Sequence, residues 1–191
     1  MMRVISGTSR GRHLKSPRGG KTRPTSDKVK AAFFNIIGNY IQGAVFLDLF
    51  SGSGGVGIEA LSRGAGKCVF VEKDPFNLKI IRENLNLTGV YSQAEILPCD
   101  VYRALKILHK RRECFHVAYL DPPYCYEGVL NILHFLHENR IISNGGIVGV
   151  ERDSHKPGTW LEAAPFQPWQ KKIYGNTMLI LFKELGISSI N

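Results

Sequence analysis

Long apolar runs are absent from this chain of 191 residues. A membrane-spanning helix needs about 20 consecutive apolar residues, and no stretch of the sequence approaches that length. The first residues, Met1–Gly7, also lack the apolar core and small-residue cleavage site of a secretory signal. These absences favour a soluble, cytoplasmic protein with no membrane partner. The length fits one domain with a small appendage.

Cysteine is scarce: the chain has four, and none forms a C-x-x-C pair or joins histidines at zinc-finger spacing. The histidines likewise form no cluster of ligands, so we predict no bound metal. We interpret Cys68, Cys99 and Cys114 as small, buried hydrophobic side chains. Cys125 directly follows the motif Asp121–Tyr124 discussed below. A thiolate that attacks a nucleic-acid base is therefore an alternative for Cys125.

Acidic residues are almost missing from the first thirty positions, which hold nine basic residues and one acidic residue. The rest of the chain is nearly balanced, with sixteen basic and fifteen acidic residues. A localised positive excess is typical of a surface that binds a polyanion, although a solubilising tail is the alternative. We predict a basic nucleic-acid-binding arm over residues 1–22 and a catalytic domain over residues 23–191. The side chains expected to contact nucleic acid are Arg3, Arg10, Arg12, Lys15 and Arg23.

Strand and helix patterns alternate five times after this arm, which predicts an α/β fold with a mostly parallel sheet and helices on both faces. The predicted strands are Val45–Phe50, Cys68–Glu72, Ala94–Leu97, His116–Leu120 and Gly146–Val150. Two late strands, Lys171–Tyr174 and Met178–Phe182, are expected to form an antiparallel hairpin. In the arm, Arg3–Gly7 and His13–Lys15 flank a Gly/Ser/Arg turn and predict a small β-hairpin.

A glycine-rich turn follows the first predicted strand. Gly52, Gly54 and Gly57 match G-x-G-x-x-G, and Glu72 lies twenty residues beyond Gly52, where an acid binds a ribose diol. By itself this pattern indicates a cofactor that contains adenosine, and an NAD-dependent oxidoreductase is one alternative. Asp48 favours S-adenosylmethionine, because a carboxylate there attracts a cationic amino-acid group and repels a pyrophosphate.

The motif Asp121-Pro122-Pro123-Tyr124 follows the fourth predicted strand. The exocyclic amine of a base is a poor nucleophile, because its lone pair is conjugated into the ring. The Asp121 carboxylate and the Pro122 carbonyl can accept the two amine hydrogens and aim the amine at a methyl group. Pro123 stiffens the loop, and Tyr124 can stack on a base that has left its helix. The motif predicts methylation of a base amine.

These patterns resemble the class I methyltransferases, and more closely the RsmD family of 16S rRNA guanine-N2 methyltransferases. Arg3–Gly7 with Gly11-Arg12 is similar to the family's N-terminal RNA-binding hairpin. Arg23–Lys30 and Phe34-Asn35 are similar to its helix that contacts the cofactor. These N-terminal patterns give most of the family specificity, and the resemblance covers almost the whole chain.

The remaining similarities are at the level of the class. Asp48–Ala65 is similar to the first cofactor motif, Val71–Asp74 to the ribose-binding motif and Asp121–Tyr124 to the catalytic motif. Asp100, which is followed by Val101-Tyr102 at a position where the family varies, is expected to contact the adenine. The residues expected to hold S-adenosylmethionine are Thr25, Asp48, Phe50, Gly52, Gly54, Glu72, Lys73 and Asp100.

The resemblance implies a Rossmann-like class I methyltransferase fold with seven strands, and methyl transfer to the N2 amine of one guanine in 16S rRNA. It also implies a partly assembled small ribosomal subunit as substrate, and we expect a monomer. Two alternatives stay open. A DNA adenine-N6 methyltransferase carries similar motifs but usually needs a target-recognition insert, for which the chain has little room. A non-catalytic RNA-binding module would not need the intact Asp121–Tyr124 motif.

Overall fold

A seven-stranded sheet is the centre of the fold in the computed structural model, which describes residues 2–17, 27–123, 125–155 and 161–185. The strands are β1 (Val45–Asp48), β2 (Lys67–Glu72), β3 (Ala94–Pro98), β4 (Phe115–Leu120), β5 (Ile142–Asp153), β6 (Gln167–Tyr174) and β7 (Thr177–Lys183). The helices are α1 (Asp27–Ile37), α2 (Gly55–Ser62), α3 (Pro75–Thr88), α4 (Val101–Lys110) and α5 (Val129–Glu138). None of these helices is long and apolar enough to cross a membrane.

The strand order is β3-β2-β1-β4-β5-β7-β6. The pairs among β1 to β5 are parallel, whereas β7 pairs antiparallel with both β5 and β6. The predicted mostly parallel sheet with an antiparallel C-terminal hairpin is therefore confirmed. Because β1, β2, β4 and β5 run in one direction, their carboxyl ends lie along the same edge of the sheet, where such folds bind ligands.

Local sequence signals explain where most elements begin and end. Helix α3 begins with Asp74, whose carboxylate accepts the amide hydrogens of Phe76 and Asn77, and Pro75 occupies its first turn. Gly89 ends α3 in the left-handed conformation, with a φ of 76°. Strand β5 is longer than predicted at both ends, because Asn144 and the adjoining glycines resembled a turn and the charged end of the strand resembled a loop.

The sheet separates two hydrophobic clusters. One contains α1, α2 and α3 residues such as Phe33, Ile58 and Ile81, together with Met2, Val4 and Leu14 from the chain's beginning. The other contains residues of α4 and α5. The two layers of helices bury both faces of the parallel strands, which explains why those strands are almost uniformly apolar.

Residues 2–17, here called the N-terminal segment, pack against α2 and α3. The Val4 amide donates to the Arg12 carbonyl, and a single β-bridge joins Arg3 to His13. The predicted small β-hairpin is not confirmed, since no strand extends from this bridge in the described part of the chain. The amides of Ile5 and Ser6 donate to the Glu59 carboxylate at 2.7 and 3.0 Å. The backbone of the segment is thus held by α2.

Candidate active site

A cavity of about 760 Å³ opens at the carboxyl ends of the parallel strands. It brings together predicted cofactor and catalytic residues that are far apart in the sequence. The predicted residues that line it are Asp48, Phe50, Gly52, Glu72, Lys73, Asp100, Asp121, Pro122 and Pro123. Thr25 and Tyr124 lie outside the described residues, so their roles stay predictions.

Asp48 forms the buried floor of the cavity, with 2% of its surface exposed. One of its carboxylate oxygens accepts the Gly57 amide hydrogen at 3.0 Å, which ties the end of β1 to the first turn of α2. Burial raises the pKa of Asp48 to about 7, the Gly57 hydrogen bond opposes the shift, and the negative charges of Asp121 and Glu72 add to it. A cation bound beside Asp48 would stabilise its ionised form.

Glu72, at the end of β2, is held by a ring of N–H donors. One carboxylate oxygen accepts the amides of Lys73 and Asp74, both at 2.8 Å. The other accepts the amide of Gly52 at 2.9 Å and lies 3.4 Å from the Asn77 side-chain nitrogen. These bonds fix the carboxylate before any ligand binds. They also give Glu72 a second task, since it orders the glycine-rich turn.

The other predicted cofactor residues differ in how directly they face the cavity. Asp100 caps α4, accepting the Arg103 amide at 3.1 Å, and its carboxylate lies at the cavity wall. Phe50 packs edge-to-face on Tyr126, with the ring centroids 5.2 Å apart. Gly54 is not among the described lining residues. It precedes α2 with a φ of 81°, and a side chain there would point at Ile58 in the core.

The loop after β4 carries the predicted catalytic residues. Asp121, Pro122 and Pro123 line the cavity. The Tyr126 amide donates to the Pro123 carbonyl at 2.8 Å, which closes a turn just beyond the motif. Arg152, on β5, donates to the Tyr126 carbonyl at 2.6 Å. The neighbouring strand therefore supports the loop in which Asp121 is held.

The charges of the cavity wall are mostly negative. Its described carboxylates are Asp48, Glu72, Asp100, Asp121 and Glu151, and its described lysines are Lys30 and Lys73. Lys30 is already bound elsewhere, because its ammonium group lies 3.6 Å from the Glu59 carboxylate and donates to the Arg3 carbonyl at 2.7 Å. This excess of carboxylates favours the binding of a cation and opposes the binding of a pyrophosphate. A cofactor with positive charge and a ribose diol fits it.

Several cavity residues were not predicted as site residues from the sequence, among them Glu151, Lys30 and Met2. Glu151 follows the predicted fifth strand directly, in the position that Asp121 has after β4, so the same signal could have identified it. Lys30 was counted in the positive excess of the first thirty positions, but it is only 1% exposed. Its spacing from Phe33, Phe34 and Ile37 places it on the apolar face of α1, which was a usable signal. Met2 gave none.

The predicted nucleic-acid contacts lie on the exposed side of the N-terminal segment. The described ones, all exposed, are Arg3, Arg10, Arg12 and Lys15. Arg3 lies 3.7 Å from the Asp27 carboxylate, and Lys15 lies 3.0 Å from that of Glu83. Arg23 is outside the described residues. The structure leaves positive charge on this surface while the backbone beneath it is docked.

Comparisons with known proteins agree with this geometry. The family described as Conserved hypothetical protein 95 matches residues 2–183. The chain is 39% identical to the protein YlbH of Bacillus subtilis (strain 168) over 187 residues, which cover 97% of this chain and 100% of YlbH. It is 35% identical over 157 residues to Ribosomal RNA small subunit methyltransferase D of Haemophilus influenzae, covering 82% of this chain and 81% of that protein.

A solved structure shows the same architecture. The Thermus thermophilus protein TTHA0928 is 28% identical and superposes with a TM-score of 0.81, covering 95% of this chain and 98% of its own. Because both chains are covered almost completely, the likeness includes the C-terminal antiparallel strands as well as the parallel sheet.

Proposed function

The chain belongs to the RsmD family of methyltransferases, described as Conserved hypothetical protein 95, and from this premise we propose that it methylates the N2 amine of a guanine in 16S rRNA of the small ribosomal subunit. The methyl donor is S-adenosylmethionine. The observation that carries the proposal is a single cavity that places the Asp121 loop beside the buried Asp48 and the fixed Glu72.

S-adenosylmethionine, when bound, supplies an electrophilic methyl group on a sulfonium. Asp48 would face its cationic amino-acid part, and the Glu72 carboxylate would accept hydrogen bonds from the ribose hydroxyls. Gly52 has no side chain, so a ligand can approach its backbone closely. Its φ of 52° is also a conformation that other residues rarely adopt. Phe50, Lys73 and Asp100 complete the cofactor wall, and Thr25 and Gly54 are proposed to support it.

The residues after β4 prepare the amine for attack. The Asp121 carboxylate and the Pro122 carbonyl accept the two hydrogens of the N2 amine, which turns its lone pair toward the methyl group. This arrangement is fixed before reaction, so no reorganisation is needed in the transition state. Pro123 keeps the loop rigid, and Tyr124 stacks on the guanine. Asp121 binds the reacting group and is the proposed catalytic residue.

RNA is proposed to bind the basic side of the molecule. In this proposal residues 1–22 form the RNA-binding part and residues 23–191 the methyltransferase part, with contacts from Arg3, Arg10, Arg12, Lys15 and Arg23. Exposed arginines and lysines attract the phosphates of RNA, and the release of the counterions bound to those phosphates favours binding. The substrate is a partly assembled small subunit, and the enzyme acts as a cytoplasmic monomer.

Mass spectrometry of rRNA nucleosides tests this function. Cells without the gene should lack N2-methylguanosine at one position of the small-subunit rRNA, and the purified protein with S-adenosylmethionine should restore it on their particles. Duplex DNA serves as the competing substrate. Methylation of adenine in DNA, or an unchanged nucleoside profile in the cells without the gene, would contradict the proposal.

A further inference from the structure

Several cavity residues are not explained by the cofactor or by the Asp121 loop. They include Met2, Pro17, Lys30, Glu151 and Thr177. In the sheet order, β5 and β7 lie on one side of β4, whereas β1, β2 and β3 lie on the other. Met2 lies against Ser53 and Gly55 of the glycine-rich turn. Glu151 on β5 and Thr177 on β7 therefore form the part of the cavity beyond Asp121, on the side away from the cofactor motifs. We call it the base compartment.

Glu151 is the acidic residue of the base compartment. The register pairs Leu120, the last residue of β4, with Val150, so the next positions, Asp121 and Glu151, are neighbours, and β5 continues beyond them to Asp153. Glu151 is 5% exposed and lines the cavity. The hydroxyl of Tyr119, which is fully buried, donates to one of its carboxylate oxygens. A side chain held in this way is ready to bind a ligand without reordering.

A carboxylate at this position can distinguish guanine from adenine. Guanine carries a hydrogen on N1, next to the N2 amine, so its edge presents adjacent donors. Adenine presents its N6 amine beside an N1 lone pair. A carboxylate beside Asp121 therefore attracts guanine and repels adenine, because a lone pair facing a carboxylate has no hydrogen to share.

We propose that Glu151 accepts the N1 hydrogen of the target guanine while Asp121 holds the N2 amine, so that Glu151 selects guanine over adenine. This inference rests on the proposed function and deepens it. The Asp121–Tyr124 motif alone suits either base amine. The residue that separates them lies on the next strand, and Tyr119 is its positioning residue.

A pair of substrates tests the contact. An RNA that carries guanine at the modified position is compared with one that carries 2-aminopurine, which keeps the 2-amino group but has no N1 hydrogen. A well-formed base contact discriminates by roughly 5- to 150-fold, so the wild type should show that preference in kcat/KM. In Glu151→Gln the preference should fall at least fivefold, because the neutral amide no longer repels an N1 lone pair.

Matched variants control for the loss of a buried carboxylate. Glu184→Gln changes another buried glutamate, which lies 2.9 Å from His137 and does not line the cavity, and it should keep the wild-type preference. Tyr119→Phe keeps the Glu151 carboxylate but removes its hydroxyl donor, so its preference should be intermediate. Calorimetry with S-adenosylhomocysteine checks that each variant folds.

The outcomes separate this inference from the proposed function. If the wild type transfers no methyl group to guanine, the proposed function fails. If it methylates guanine and 2-aminopurine equally well, or if Glu151→Gln keeps the full preference, only the role of Glu151 fails. The comparison of guanine with 2-aminopurine uses the wild type alone. It can therefore disprove the inference even if Glu151→Gln does not fold.

Discussion

The N-terminal segment and the cavity edge hold charges of opposite sign, and the fold treats them in opposite ways. Arg10 and Arg12 are exposed on the N-terminal segment. Asp48 and Glu151 are buried at the strand ends. An exposed charge acts at a distance and is weakened by salt. A buried carboxylate acts on a neighbour in contact with it, and its ionisation depends on that neighbour. The two regions should therefore respond to different experiments.

Lys30 and Glu59 connect these regions. Glu59 is fully buried in α2 and accepts hydrogen bonds from the amides of Ile5 and Ser6 and from Arg63. Burial lowers the pKa of Lys30, and the charge of Glu59 opposes that shift most strongly. Removal of residues 1–15 would leave this buried pair without its backbone partners. The role of the segment's charges in RNA binding is therefore better tested by substitutions than by truncation.

The largest effect is expected from Glu59→Ala, which removes the junction between the two regions. It leaves Lys30 without its closest carboxylate, and breaking a buried pair in this way costs about 3–5 kcal/mol of unfolding free energy. Denaturant unfolding measures this loss. Glu83→Ala, which removes an exposed partner of Lys15, should leave the unfolding midpoint nearly unchanged. Equal effects of the two variants would show that burial does not distinguish these charges.

Asp121→Ala should give the next largest effect, confined to the cavity edge. A preorganised acceptor that acts in the transition state contributes on the order of a hundredfold in rate. Single-turnover methyl transfer should slow by that factor, while the affinity for S-adenosylmethionine changes little. Glu127→Ala, an exposed change a few residues along the same chain, is the control and should keep the wild-type rate. A rate for Asp121→Ala within a few-fold of the wild type would disprove the mechanism.

The sequence predicted the cavity edge better than it predicted the N-terminal segment, and the reason is physical. Apolar runs that lead into an acidic residue, such as Cys68–Glu72 and His116–Leu120 before Asp121, define strand ends locally, and parallel strands bring those ends together. The predicted strands and the Asp48, Glu72 and Asp121 positions all follow from this rule. The two halves of the N-terminal segment do pair through backbone hydrogen bonds, but only one β-bridge forms, and the segment is held as well by α2 and α3.

What the sequence did not predict depends on contacts between distant residues. The helical spacing of Lys30 could predict its burial, but its buried partner Glu59 is 29 positions later, and nothing near Lys30 in the sequence identifies that partner. Glu151 follows Val150 as Asp121 follows Leu120, so the sequence carried a signal for it, but its place beside Asp121 depends on the pairing of β4 with β5. The hydrogen bond from the Gly52 amide to Glu72 also arises from the fold, because Gly52 lies twenty residues earlier in the glycine-rich turn.

A smaller effect, about tenfold, is expected from the pH dependence of cofactor binding. Burial raises the pKa of Asp48 from 3.8 to about 7, so the carboxyl is largely protonated below that pH and ionised above it. Affinity for the cationic cofactor should therefore rise by about tenfold from about pH 6 to about pH 8. Calorimetry at each pH measures it. Asp48→Asn should bind weakly and show no such rise.

The stability of the ligand-free protein should change with the opposite sign. Between a pH of about 4 and about 7 the unfolded chain has lost the Asp48 proton while the folded protein keeps it. The contribution of Asp48 to stability is therefore present at low pH and lost as the pH rises through about 7. At about pH 8, where wild-type Asp48 is ionised in its buried site, Asp48→Asn should unfold at a higher denaturant concentration than the wild type. A lower midpoint would contradict the assigned pKa.

The smallest effect is expected from the exposed charges, and it should appear as a salt dependence. The double variant Arg10→Gln/Arg12→Gln removes two positive charges from the N-terminal segment. It keeps the hydrogen bonds of the segment's backbone and loses the one from the Arg12 guanidinium to the Leu87 carbonyl. If both arginines contact phosphates, the log–log salt slope of RNA binding should become shallower by roughly 1.4–1.8. The control Lys106→Gln/Lys110→Gln removes the same charge from α4, on the other face of the sheet. RNA affinity measured from about 50 to about 200 mM salt compares them, and equal slopes would mean that the segment acts only through net charge.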